Sequence, residues 1–171
     1  MHLIYLELML LLVLAVINDT ISFRIDNKII MFFIVTGLVT GLARGGSKGF
    51  ASSAAGTVIP LIVLFLLYAL KMLGAGDIKL MCAIGAIGGT GIVLPVMAYS
   101  FLAGGFIALI FIMLRKNASA RAMYMFSYLK SCFLCHSILP YSDFEEKNDG
   151  SMFRFSYAIA CGTAIAVLLK F

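Results

Sequence analysis

The sequence predicts an all-α polytopic membrane protein of about six transmembrane helices, forming a single domain with no soluble domain attached. Three observations carry that expectation. The 171 residues are 63% hydrophobic and only 12% charged, with a mean hydropathy of +1.08, where a soluble domain has about 45–50% apolar and roughly 25% charged residues. The apolar residues fall into runs suited to helices of about 20 residues, and the strict alternation of an outer-membrane barrel is missing. Outside one segment, polar residues only punctuate the runs. With 3 Pro and 16 scattered Gly, disordered and collagen-like classes are excluded. The formal charge of +5 contains no basic tract, so it reports on loop sidedness and not on a nucleic-acid partner.

The runs can be taken in order. Residues 3–18 form the first; without a basic leader region or a small-residue cleavage site, they are expected to be a retained span and not a secretory signal. Residues 29–43 form a shorter second span, closed by the polar turn 44–49, and residues 50–73 form the third. Residues 78–87 are too short to cross alone, so this fourth helix should borrow residues 74–77 or run past the glycine turn 88–91. Residues 92–114 form the fifth, with Pro95 near its start, where a helix tolerates proline best. Residues 153–169 form the sixth. Between these last two lies the polar connector 115–151, basic at first and acidic at its end. Tyr124, Phe126, Tyr128 and Phe133 interleave there with Arg121 and Lys130, as in an amphipathic connector or a helix lying at the headgroups.

Counting Lys and Arg on alternate sides gives ten against three, with only Arg44, Lys48 and Lys170 on the poorer side. The positive-inside rule then puts both termini outside the cytoplasm. Asp19 and Asp77 are separated by two spans, so both emerge at the cytoplasmic face.

Acids near a membrane span cost about 2.5–3.5 kcal/mol at a helix centre, and so tend to be paired or functional. Glu7, Asp19 and Asp77 qualify. Glu7, midway along the first span, reads either as a hydrogen-bonded packing residue or as part of a proton path. Two aspartates converging on one cavity can share a proton, because like charges at close range raise one pKa. The ionised member then takes a proton from water while the neutral one donates to a scissile carbonyl oxygen. Gly74 and Gly76 precede Asp77; glycine allows close backbone approach, which suits an extended substrate, although the same pattern also serves turns and helix packing. The helix start after Asp77 is expected to favour its ionised form.

These residues carry a resemblance. Gly74-Ala75-Gly76-Asp77-Ile78-Lys79-Leu80, continued by Met81-Cys82-Ala83-Ile84-Gly85-Ala86, resembles the GxGD signature of type IV prepilin peptidases, the membrane aspartic proteases that cut prepilin leaders. Asp19-Thr20-Ile21-Ser22-Phe23-Arg24-Ile25-Asp26-Asn27 is similar to the family's first motif, an Asp followed by five residues and Ile-Pro-Asn. The resemblance implies Asp19 and Asp77 as the catalytic pair, with Gly74, Gly76, Asn27 and Lys79 as substrate-binding or supporting residues. It also implies a prepilin with a short basic leader ending in Gly as substrate, a site at the cytoplasmic side of the cell membrane, and no cofactor or metal. The small subtype of tight-adherence (Flp) pilus systems and archaeal relatives fits best, because the larger enzymes carry a cytoplasmic domain with two Cys-x-x-Cys pairs. Tyr157-Ala158-Ile159-Ala160-Cys161-Gly162 is similar to the opening of the family's last helix.

One departure stands out: Asp26 occupies the family's Pro position. If the stretch is helical, Asp26 shares a face with Asp19 two turns away and could substitute for it or tune its pKa; Asp19 is favoured by its offset from Asn27. Arg24 and Lys79 suit headgroup anchors, and either would lower the pKa of a nearby Asp. Cys132-Phe133-Leu134-Cys135-His136 spells a c-type haem attachment pattern, but it falls on the predicted cytoplasmic side, and as a zinc site it lacks a fourth ligand. Cys82 and Cys161 read as small buried hydrophobes. The rival functions are a small proton-coupled carrier, which should show repeat symmetry, an inactive pilus-assembly scaffold, and a presenilin-type protease, whose first motif differs from the one here.

Overall fold

The computed structural model describes residues 2–22, 26–70, 72–114 and 155–169. They form five helices and, among the described residues, no strand: α1 (His2–Ser22), α2 (Asn27–Ala69), α3 (Ala75–Gly88), α4 (Thr90–Leu114) and α5 (Phe155–Leu169). The connector 115–151, with Cys132, Cys135 and His136, lies outside the described residues, as do Arg24 and Lys71. Three helices, α1, α2 and α4, are long and apolar enough to cross a membrane. The outer surface agrees with a bilayer: Leu6, Phe32, Ile62, Leu66, Leu102 and Phe106 are between 62% and 68% exposed, a surface that water would penalise heavily.

Helix α1 buries Leu8, Leu11 and Ala15, spaced three and four apart along one face. Continuing by four reaches Asp19, which lies inside the helix and not beyond the end of the run.

Helix α2 has 43 residues, which as a straight rod would measure about 65 Å, twice the thickness of a bilayer core. It does not run straight. Gly46 takes φ 57 and ψ −140, a conformation a side chain would resist, and there the helix turns back on itself into two arms. Near the turn the arms touch backbone to backbone, since a Cβ on Gly49 would collide with the Gly41 carbonyl. The polar turn expected over residues 44–49 is realised at this one glycine. The second arm contains Pro60, which has no N–H to offer the carbonyl four residues earlier. That carbonyl, on Gly56, faces Gly85 of α3.

Helix α3 is the centre of the bundle. Ile78 and Leu80 through Ile87 are all buried, enclosed chiefly by the two arms of α2. With 14 residues it does borrow Ala75–Asp77, as its short apolar run required. It leads into α4 through Gly89 alone, at φ 69, beside the Ser52 hydroxyl. At this end Arg44 donates through Nη2 to the carbonyl of Ile87, 3.0 Å away, satisfying an orphan acceptor at the α3 terminus. Helices α4 and α5 pack together, with Gly162 against the Ser100 backbone and Gly104 against the Phe155 ring.

Candidate active site

The chain ends and starts that gather at the other end of the bundle carry the acids. Asp77 is the third residue of α3, counted from its cap Gly74. Its carboxylate curls back over that cap, so that a Cβ on Gly74 would sit 3.1 Å from Oδ2, and it is hydrogen-bonded to the Gly74 backbone. This is the acidic half of a capping box, and it explains the glycine at position 74 as room for the carboxylate. Gly76 lies partly buried in the same first turn.

Asp77 stands ahead of the apolar stretch 78–87. Its pKa is pushed up from 3.8 to about 6, first by burial and next by the charge of Asp19. The hydrogen bond at the helix start favours the ionised form, as expected, but loss of water and a neighbouring like charge outweigh it and raise the pKa above the ordinary carboxylate value. The same fact brings Asp19 and Asp77, from α1 and α3, into electrostatic reach of each other.

Asp19 is held from a third direction. The Ser156 hydroxyl of α5 donates to Asp19 Oδ2, and Ser156 is only 2% exposed. One residue further along each helix, the Thr20 and Tyr157 hydroxyls pair at 3.2 Å, so the end of α1 and the start of α5 are stitched together twice. The sequence reading missed Ser156 and Thr20. The signal available was the late segment opening at Tyr157, read as a family likeness and not as a supplier of donors.

Asp26 does not join the pair. Helix α1 ends at Ser22 and Asp26 caps α2, accepting from the Lys28 backbone N–H at 3.0 Å. The two acids therefore do not share one helix face, and the Asp26 carboxylate is engaged with its own helix. Its place in the motif has a physical reason, because Asp and Pro both start helices. Asn27 and Lys79 do meet: Lys79 Nζ donates to Asn27 Oδ1 at 2.8 Å, tying the start of α2 to the start of α3 beside Asp77.

Glu7 lies twelve residues before Asp19, about 18 Å away along α1. It accepts from the Thr40 hydroxyl at 3.3 Å, and that hydroxyl also receives Arg44 Nη2 at 3.3 Å. Of the two readings, the structure supplies the hydrogen-bonded packing residue. A cavity of about 200 Å³ opens at that far end, lined by Arg44, Ser52, Ser53 and glycines, away from the aspartates. Among the described residues no group of three or more His, Cys, Asp or Glu is gathered that could hold a metal ion.

Two carboxylates from separate helices, one with its pKa raised by burial and by the charge of the other and the other held by a hydroxyl, are the components that acid–base activation of water requires. Residues 6–109, more than half of the chain, match the profile of the type IV leader peptidase family. The chain belongs to that family. The match spans α1 to α4 and includes both aspartates, so the membrane character and the peptidase class read from composition and motif agree with it. No curated protein and no solved structure matches this family member significantly.

Proposed function

We propose that this leader peptidase family member is a membrane aspartic endopeptidase that removes the basic leader of a type IV prepilin of the Flp kind. The observation that carries the reading is the convergence of Asp19 and Asp77, close enough that the charge of Asp19 helps to raise the Asp77 pKa. In this mechanism the Asp19 carboxylate takes a proton from water as the water oxygen attacks the scissile carbonyl carbon. Asp77 donates its proton to the carbonyl oxygen, giving a tetrahedral intermediate. The intermediate collapses with C–N cleavage, the amine leaving with a proton from Asp19, and Asp77 recovers its own.

Counting the arms of α2 separately gives six spans with α1, α3, α4 and α5. The charge count then puts both termini outside the cytoplasm and the aspartates at the cytoplasmic interface of the cell membrane. There a leader held in the cytoplasm, continuous with a pilin helix in the bilayer, reaches both acids. Gly76 leaves a low strip for the substrate backbone next to the Asp77 carboxylate, which folds over Gly74, and the Lys79–Asn27 bond keeps the mouth of α3 in register. The test is co-expression with an Flp-type prepilin in membranes and mass spectrometry of the pilin N-terminus. The expected product starts immediately after the Gly that ends the leader. An intact prepilin beside abundant protein, or a protease-accessibility map with Asp77 on the outer face, would refute the reading.

A further inference from the structure

The residue that orients Asp19 lies outside the matched family segment 6–109, on a helix whose part in the chemistry neither the motifs nor the comparisons assign. We infer that Ser156 is the positioning residue for the first aspartate: its buried hydroxyl, donated to Asp19 Oδ2, fixes the carboxylate and leaves the other oxygen to take the proton from water. The inference rests on the peptidase reading above and deepens it.

Three features of the site support it. Ser156 is the second residue of α5, a position where a serine hydroxyl commonly serves its own helix start; here it is donated across the bundle to α1. At 2% exposure no bulk water competes for the bond, and a hydrogen bond to a charged acceptor gains strength as water is excluded. The donor is also rigidly placed. The Thr20–Tyr157 pair fixes α5 beside α1, and Gly162 lets α5 close onto the Ser100 backbone of α4, so α5 has little freedom to slide.

The test uses the full chain in liposomes with a prepilin substrate, comparing wild type, Ser156→Ala, Ser156→Thr and Ser156→Cys, with Asp19→Asn as reference. Ser156→Ala removes one oxygen atom and should lower kcat roughly 10- to 100-fold, the worth of a hydrogen bond to a charged group, with KM unchanged. Ser156→Thr, which keeps the hydroxyl, should recover most of that loss, and Ser156→Cys, a weaker donor, should fall between. If the added methyl of Thr lowers protein abundance, Cys against Ala becomes the deciding comparison. Ser156→Ala cutting at the wild-type rate, or Thr and Cys both as slow as Ala, would overturn the inference. A wild type that does not cut, or an Asp19→Asn variant that does, would instead overturn the peptidase reading.

Discussion

Asp77 can only meet Asp19 if α3 sits at the right depth and rotation, and the closest restraint on α3 is its crossing with the second arm of α2. At that crossing a Cβ on Gly85 would lie 2.5 Å from the carbonyl carbon of Gly56 and nearer still to its oxygen, whereas ordinary contact begins at 3.4 Å. Gly85→Ala therefore forces the two backbones apart by about 1 Å. Overpacking of this kind costs about 1–3 kcal/mol, only partly offset by the gain in helix propensity of about 1 kcal/mol from Gly to Ala. Gly85 is eight residues from Asp77, about 12 Å along a single helix, so the displacement reaches the acid, where a shift of about 1 Å costs roughly 100-fold in rate. Thermal stability in detergent and prepilin cleavage in liposomes would be measured together. Gly105→Ala is the control, because a Cβ there meets nothing within 4 Å. The expected result is a lower melting temperature and a large loss of cleavage for Gly85→Ala alone. Gly85→Ala behaving like Gly105→Ala would refute the crossing as the restraint that positions Asp77.

Two further outcomes follow from the site. Because the Asp77 pKa is raised to about 6 and the mechanism needs its proton, cleavage should decline as pH rises through about 6; a rate unchanged to about pH 8 would contradict the assignment of the acid. Because Asp26 caps α2, Asp26→Asn should cut normally, while Asp26→Ala should lose about 1 kcal/mol of stability and still cut; abolished cleavage in Asp26→Asn at normal abundance would return that acid to the chemistry.

What was legible in the sequence was the set of apolar runs and their breaks. Gly46 and Gly89 fall inside the two turns expected from glycine clusters, because a positive φ leaves few residue choices. Asp77 and its glycines were legible because an acid directly after Gly-x-Gly at the mouth of an apolar run is costly unless it is paired or functional. The packing was not legible. These helices are apolar all round, toward lipid as toward each other, so hydropathy carries no record of which face is inward. The record lies in small residues such as Gly37, Gly49, Gly56 and Gly85, where Cβ atoms would collide with a neighbouring backbone. The separate helices of Asp19 and Asp26 depend on where one helix stops and the next starts. Ser156 was hidden for another reason: a lone serine near a helix start looks like a cap until its partner, 137 positions away, is brought beside it.

The central claim is that Asp19 and Asp77 together perform the cleavage. Its most direct test is in-membrane cutting of a co-expressed prepilin by wild type, Asp19→Asn and Asp77→Asn, with abundance checked by blot. Asparagine keeps the size of each side chain and removes its proton chemistry, so both variants should accumulate normally and fail to cut. Cleavage persisting in either variant at normal abundance would contradict the dyad.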